Sequence, residues 1–484
     1  MRTLSFVFLV ALIIGCQSSP AANGEENGST MSDRGPAESP DITIEVEGMR
    51  AGNAYLIGTF TDQQFRADST GVDANGKMVF KKNESYPPGH YYLILPDQSN
   101  LQFLLDLDQT FTMKTKAGDL VGSMVVEGNI DNELLYQNLR FQQEQAPRSN
   151  AVNSQLQALP VKEGPDYDRL LAQRNQLTAE YKAHLEGLFE QYPESFFTSF
   201  KRAGQNPEIQ NVRNPDGTLD VERQVYLFRT QLWDGVDFKD ERLLRTPVIS
   251  NKLKRYFNEL TPKNPDSISQ AADFLIQKVP KRSEYFKYFV NWTVINYEPK
   301  NTTLMDAQAV FVHMVEKYFT YDLAFWNDSV ETFAIQQRAY EMSASLVGKK
   351  APDVQAPDPS GQLRSIYALK SPYIIVYMYN PTCEHCAVET PKLVNFYRQW
   401  KPKGVEVFGI AIDTNDAEWK AYIAKNGMQW TNVFDPTNKS IYAKYFVDIT
   451  PEIYILDPNR TIIAKNLKVD QIAEVLERDM AKRN

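Results

Sequence analysis

Along residues 41–47 apolar and polar positions alternate: Ile42, Ile44 and Val46 are interleaved with Thr43, Glu45 and Glu47. A period of two sets one face of a strand on a core and the other in water. β-Rich runs recur at residues 55–60, 77–81, 91–95, 101–107 and 111–116, separated by turn formers such as Asp73-Ala74-Asn75-Gly76 and Pro87-Pro88-Gly89. Short strands at this spacing predict a small antiparallel β-sandwich over residues 41–128. No His, Cys or carboxylate cluster with catalytic spacing falls there, so a binding or spacer role is expected of it.

From Asp131 the period changes to about 3.6, as on an amphipathic helix. Leu134, Leu135 and Leu139 open one helix, and residues 166–191 carry Leu170, Leu177, Tyr181, Leu185, Leu188 and Phe189 along one side. Thr246-Pro247 reads as an N-cap followed by a proline at the first helical position, before a helix at 248–260. Pro265 and Asp266 open another, and residues 285–297, 304–319 and 331–345 complete an all-α middle region over 129–345. Its many Tyr, Phe and Trp residues recur at helical spacing and are assigned to the core. His184 and His313 are isolated and receive no metal or catalytic role. Over 346–484 strands at 373–379, 405–412, 453–456 and 461–464 alternate with helices at 383–400, 416–425 and 471–482. That alternation predicts a C-terminal α/β domain.

The N-terminus sets the compartment. Arg2 precedes an uncharged stretch, residues 4–15, too short to span roughly 30 Å of hydrocarbon and suited to a secretory signal. It ends Ile13-Ile14-Gly15-Cys16, which resembles the lipobox of bacterial lipoproteins. The resemblance implies removal of residues 1–15 and a lipid on Cys16. Gln17, in place of the Asp associated with inner-membrane retention, favours the outer membrane. Residues 16–40 are rich in Ser, Pro, Gly and Ala and cannot bury a core. As a flexible tether they would hold the first domain roughly 25–30 Å from the anchor.

Composition narrows the partners. Of 484 residues, 42% are hydrophobic and 23% charged, which is ordinary globular usage. The formal net charge of −9 argues against nucleic acid. With Cys16 taken by lipid, Cys383 and Cys386 are the remaining thiols of a chain with three cysteines. An exported protein that keeps two cysteines three apart has a reason in redox chemistry.

Cys383-Glu384-His385-Cys386 follows a buried strand and opens a helix. The free N–H groups and positive end of the helix favour thiolate over thiol, and a protonated His385 would add a second charge. The expected chemistry is attack by Cys383 on a partner disulfide, then resolution of the mixed disulfide by Cys386. Half a zinc site is the competing reading, but no second cysteine pair exists to complete it. An inert pair is the other.

Residues 346–484 resemble thioredoxin-like domains of the TlpA/ResA type, which are membrane-tethered periplasmic thiol–disulfide oxidoreductases. The resemblance rests on Gly348-Lys349-Lys350-Ala351-Pro352 at the entry, the CxxC pair, Glu389 and Pro391 on the helix, and Thr450-Pro451 before the next strand. It implies a cis Pro451 that faces the cysteines and, with Thr450, docks substrate. It also implies that Glu389 tunes the thiols and relays protons, with Glu384 and His385 adjusting their pKa values. Thr382 stands where relatives carry Trp, and Tyr377 where thioredoxin has a buried Asp. The dipeptide Glu384-His385 lacks the proline common in reductases, and a histidine in this slot resembles the oxidising DsbA type. The direction of electron flow stays open. Residues 237–247 and the β-rich region resemble uncharacterised domains that precede this module in envelope lipoproteins.

The expected function is that of a lipid-anchored periplasmic thiol–disulfide oxidoreductase without metal or cofactor. Its expected partners are protein thiols and disulfides of the cell envelope, an upstream membrane electron donor or acceptor, and the bilayer through Cys16. Two rivals are carried. One is a thiol peroxidase, although Asn380 stands three residues before Cys383 where peroxidatic cysteines have Thr or Ser. The other is a binding or scaffold lipoprotein with an accessory redox domain.

Overall fold

A computed structural model describes residues 35–435, 441, 444–447 and 449–483. The signal stretch, Cys16 and residues 17–34 of the tether lie outside the described residues. The end of the tether is already tied to the fold. The Glu38 N–H donates to the Leu107 carbonyl and the Ser39 hydroxyl to the Asn83 carbonyl, each at 2.8 Å.

The β-rich region holds β1 (Asp41–Glu47), β2 (Gly52–Phe60), β3 (Gln63–Val72), β4 (Lys77–Lys81), β5 (Gly89–Ile94), β6 (Asn100–Leu105), β7 (Thr110–Lys116) and β8 (Val125–Glu127). They form two four-stranded sheets, β4-β1-β7-β8 and β3-β2-β5-β6. Ile42, Ile44 and Val46 are fully buried, as their alternation demands. β3 and β8, both edge strands, escape sequence reading because they bury so little: β8 has three residues and none of them is buried. An edge strand can stay polar, and most of β3 is exposed or half-buried. β1 and β7 run parallel, from Asp41 opposite Thr110 to Glu47 opposite Lys116, so the sandwich is not wholly antiparallel. Parallel pairing needs a long connection, and the chain lays down the second sheet between these two strands.

The helical region comprises α1 (Ile130–Ala158), α2 (Pro165–Gln191), α3 (Phe196–Ala203), α4 (Val221–Gln231), α5 (Pro247–Asn258), α6 (Pro265–Ile276), α7 (Glu284–Asn296), α8 (Ala307–Tyr318) and α9 (Ser329–Ser343). Thr246 caps α5 and Pro247 takes its first position. α3 has only eight residues and α4 buries only Phe228, so neither shows a long apolar stripe. The aromatics fill the interior: the Trp233 ring lies 5.7 Å from both Tyr256 and Phe289. One apolar core runs from Ile42 to Met342 through strands and helices alike.

Polar groups fix the seam between the two regions. The Asn132 side chain on α1 accepts from Leu104 N–H and donates to Leu104 C=O, each at 2.8 Å, so it acts as one more strand partner for β6. Arg242 is buried, donating to Asp106 at 2.6 Å and to both Asp240 oxygens at 2.7 Å.

The C-terminal domain opens with the β9 (Gln355–Pro357) and β10 (Leu363–Ser365) ribbon. It continues through β11 (Tyr373–Tyr379), α10 (Glu384–Trp400), β12 (Val405–Ala411), α11 (Asp416–Asn426), β13 (Thr431–Phe434), β14 (Glu452–Leu456), β15 (Ile462–Lys465) and a closing helix, Ile472–Arg483. The sheet order is β13-β12-β11-β14-β15, with β14 and β15 antiparallel to their neighbours. β11 is buried along its whole length. Tyr373, Ile375, Tyr377 and Tyr379 pack with α10, α11 and the closing helix; Ile374, Val376 and Met378 pack with Ala351, Val354, Ile366 and Tyr445 on the other face.

Arg242→Ala should cost about 3–5 kcal/mol, because it removes the cation shared by two buried carboxylates. Urea unfolding followed by tryptophan fluorescence measures it, and a loss below about 1 kcal/mol would show that this residue does not hold the seam.

Candidate active site

The site lies where β11 runs out of the sheet. Asn380 shapes the turn: its side-chain oxygen accepts from Thr382 N–H at 2.8 Å and its carbonyl from Cys383 N–H at 3.1 Å. Cys383 is the N-cap of α10 and has extended backbone angles. The unpaired N–H groups of the first helical turn therefore face its sulfur. Cys386, one turn on, is fully buried, whereas Cys383 is half-buried; both are free thiols.

The two sulfurs differ in acidity. Burial pushes the Cys383 thiol up, but hydrogen bonds with Thr450, with the Cys386 backbone and thiol, and with the His385 backbone outweigh it, leaving the pKa below the ordinary cysteine value. Burial pushes the Cys386 thiol up to about 12, with the neighbouring Cys383 adding to the rise and the Asn380 backbone partly opposing it.

Opposite the pair lies the loop before β14. The Thr450–Pro451 peptide bond is cis. The Cys383 thiol donates to the Thr450 carbonyl at 3.1 Å, across 67 residues of sequence. Thr450 and Pro451 are half-buried. Glu384 and His385 are exposed, and the part of His385 that meets the sulfur is its backbone.

Glu389 is buried in the second turn of α10 and held by other groups. It accepts from Lys392 Nζ at 2.8 Å through one oxygen and from Val469 N–H at 2.9 Å through the other. It thereby ties α10 to the chain just before the closing helix.

Sequence reading missed a hydroxyl chain beneath Cys386. Tyr422 on α11 donates to the Cys386 carbonyl at 3.0 Å; its oxygen lies 2.8 Å from Thr390 Oγ1, which lies 2.7 Å from Tyr377 OH. Burial raises the Tyr377 and Tyr422 phenols, and charge on Cys386 adds to the rise in both. Tyr377 was visible as the residue standing in place of a buried acid. Tyr422 and Thr390 gave no signal beyond apolar helix periodicity.

Known proteins share this module. Residues 347–465 match the AhpC/TSA family, and residues 41–135 match a domain of unknown function, DUF4369. The thiol-disulfide oxidoreductase ResA of Bacillus thuringiensis (strain Al Hakam) is 25% identical over 131 residues, which span 27% of this chain and 75% of that protein. The crystal structure of a domain of a possible thiol-disulfide isomerase from Cytophaga hutchinsonii is 32% identical, covering 28% of this chain and 95% of that one at a TM-score of 0.27. A thioredoxin-like protein from Bacteroides caccae covers 56% of this chain and 99% of its own at 19% identity and a TM-score of 0.47.

Iodoacetamide at about pH 6 should label Cys383 well over about ten-fold faster than Cys386, since each unit of pKa changes the thiolate fraction ten-fold. Peptide mapping of the labelled chain reads the ratio, and preferential labelling of Cys386 would reverse the assignment.

Proposed function

We propose how this chain, which belongs to the thioredoxin-fold thiol–disulfide oxidoreductases, uses its cysteine pair: it exchanges the Cys383–Cys386 dithiol with disulfides of cell-envelope proteins while held to the membrane through Cys16. The observation that carries the reading is the inequality of the two thiols, one reachable and acidic, the other buried and pushed up to about 12.

The Cys383 thiolate attacks one sulfur of a partner disulfide. A Cys383–partner bond forms, the partner S–S bond breaks, and the leaving partner thiolate takes a proton. Cys386 then loses its proton and attacks Cys383 Sγ, releasing the second partner thiol. Two electrons and two protons leave the dithiol, and an intramolecular disulfide remains. Run backwards, the same steps oxidise a partner dithiol. Mixed-disulfide formation removes the negative charge from Cys383, and with it the local repulsion that opposes ionisation of Cys386.

Thr450 and Pro451 form the ledge across which a partner strand lies beside Cys383. Glu389 serves the exchange as proton carrier, standing on the same helix one turn past Cys386. His385 and Glu384, exposed beside the sulfur, set the local charge met by the partner. Among the described residues no helix is long and apolar enough to cross a membrane. The lipid on Cys16 supplies the attachment, at the periplasmic face of the outer membrane. Electrons come from, or go to, a membrane-bound redox partner.

Cys386→Ala should accumulate mixed disulfides with envelope proteins that dithiothreitol releases, and Cys383→Ser should form none. Insulin turbidity, catalysed by the parent and by neither variant, checks the activity; peroxide consumption without insulin reduction would favour the peroxidase instead. Glu389→Gln should slow exchange and simplify the pH dependence of Cys383 alkylation; an unchanged rate and profile would remove Glu389 from the mechanism.

Cys16→Ser should abolish labelling by a fatty-acid probe and leave an unprocessed precursor. Full partition of that variant into detergent, as for the parent, would sink the anchor.

A further inference from the structure

On β14 and β15, two regions of the chain build a second polar cluster. Lys465, the last residue of β15, is fully buried. Its ammonium donates to the Gln308 side-chain oxygen, and to the Ser345 carbonyl at 3.0 Å. Asp306 Oδ1 lies 4.0 Å away. Asp306, Gln308 and Ser345 all belong to the helical region, and all three are buried. From the domain's own sheet, the Tyr454 ring lies 4.8 Å from the ammonium, directly across from Lys465 on β14. Burial pushes the Lys465 ammonium's pKa down, and the charges of Glu452, two residues earlier on β14, and of Asp306 partly oppose that shift.

Glu452 connects this cluster to the site. It is almost wholly buried and immediately follows Pro451. One of its oxygens accepts from Tyr454 OH at 2.8 Å and from Asn466 Nδ2 at 3.1 Å. The Thr450 carbonyl two residues before it receives the Cys383 thiol. A short path thus runs from helix α8 through Lys465 to the Tyr454 ring, and through the Tyr454 hydroxyl to Glu452 and the backbone that touches the reactive sulfur.

Burying an ammonium is costly unless it is fully ligated. The sheet offers Lys465 one carboxylate and one ring face; its direct hydrogen-bond acceptors come from the helical region. Lys465 is therefore fully satisfied only with that region seated. The seat is reinforced around it: Asp306 Oδ2 accepts from Val347 N–H at 2.9 Å, and Ser345 Oγ donates to the Tyr445 carbonyl at 3.1 Å. Tyr445 is also the carbonyl that Tyr454 OH reaches, at 2.9 Å.

We infer that Lys465 is a positioning residue for the dithiol: ligated by Gln308, Ser345 and Asp306 of the helical region, it holds Glu452 and so fixes the Thr450–Pro451 ledge against Cys383. The inference rests on the reading of Cys383–Cys386 as the redox pair and assigns the helical region a part in it. With the helical region seated, Thr450 stays in place to stabilise the Cys383 thiolate. With Lys465 unligated, Glu452 loses its cation, the ledge loosens and the thiol becomes less acidic.

The test uses the full chain with Lys465→Met, which keeps most of the side-chain volume, and Gln308→Leu, which leaves both charges of the sheet in place. For each variant the pH profile of Cys383 alkylation is measured beside a thermal melt and far-UV circular dichroism. Both variants should show a higher alkylation midpoint, with the rate at pH 6 down about three-fold, as half a unit of pKa dictates. The rate above the midpoint should match the parent. A purely structural role predicts a lower melting temperature with the parental profile, and that result in a folded variant overturns the inference. Should Lys465→Met not fold, Gln308→Leu decides by the same profile. Failure of the redox reading looks different: the parent itself would not reduce insulin.

Discussion

Cys383 occupies the point where a strand buried on both faces must give way to a helix, and the proposed chemistry depends on that junction. β11 is clamped between β12 and β14 and filled by tyrosines on one face and aliphatic side chains on the other. Its last residue therefore has one position. A turn closed by Asn380 hands the chain to α10 with the cysteine as N-cap, so the helix N–H groups that lack internal partners meet a sulfur. The burial that fixes the strand also defines the site, because it leaves no alternative register for the junction.

From that junction the inequality of the thiols follows. A residue at the N-cap lies outside the helix and reaches solvent; the residue three further on points back beneath the first turn. Cys386 is consequently enclosed, over a floor of hydroxyls contributed by Tyr377, Thr390 and Tyr422. Where a thioredoxin places a buried acid under its cysteines, this chain places phenols that burial keeps protonated. The floor is then neutral, and its Tyr422 hydroxyl donates to the Cys386 carbonyl.

Before the thioredoxin-like domain, the β-rich and helical regions share one apolar cluster. Their seam is ionic, through Arg242, and their junction with the redox domain is ionic again, through Lys465. Buried charges of this kind stabilise little compared with apolar packing, but they tolerate few alternative arrangements. Their value here is geometric: they specify how the surfaces meet.

Much of this was legible in the chain itself. Alternation at Ile42, Ile44 and Val46, the 3.6-residue period after Asp131, and the strand–CxxC–helix sequence at 373–400 gave the order of β-rich, helical and α/β regions, because side-chain burial follows backbone period directly. The placement of Cys383 and Cys386 was equally local, since an N-cap and a three-residue spacing are properties of adjacent residues. Contacts between residues far apart in sequence were not legible. The parallel pairing of β1 with β7, the meeting of Cys383 with Thr450, the seat of Lys465 among Gln308, Ser345 and Asp306, and the turning of Glu389 toward Lys392 and Val469 all bring together groups that no period or motif links. Edge strand β3 and helix α4 were hidden for a related reason: they bury so little that their residues carry almost no pattern. The sequence alone set which groups could react, and the tertiary structure decided which were brought into contact, because a buried polar group takes whatever partner the packing of distant segments supplies.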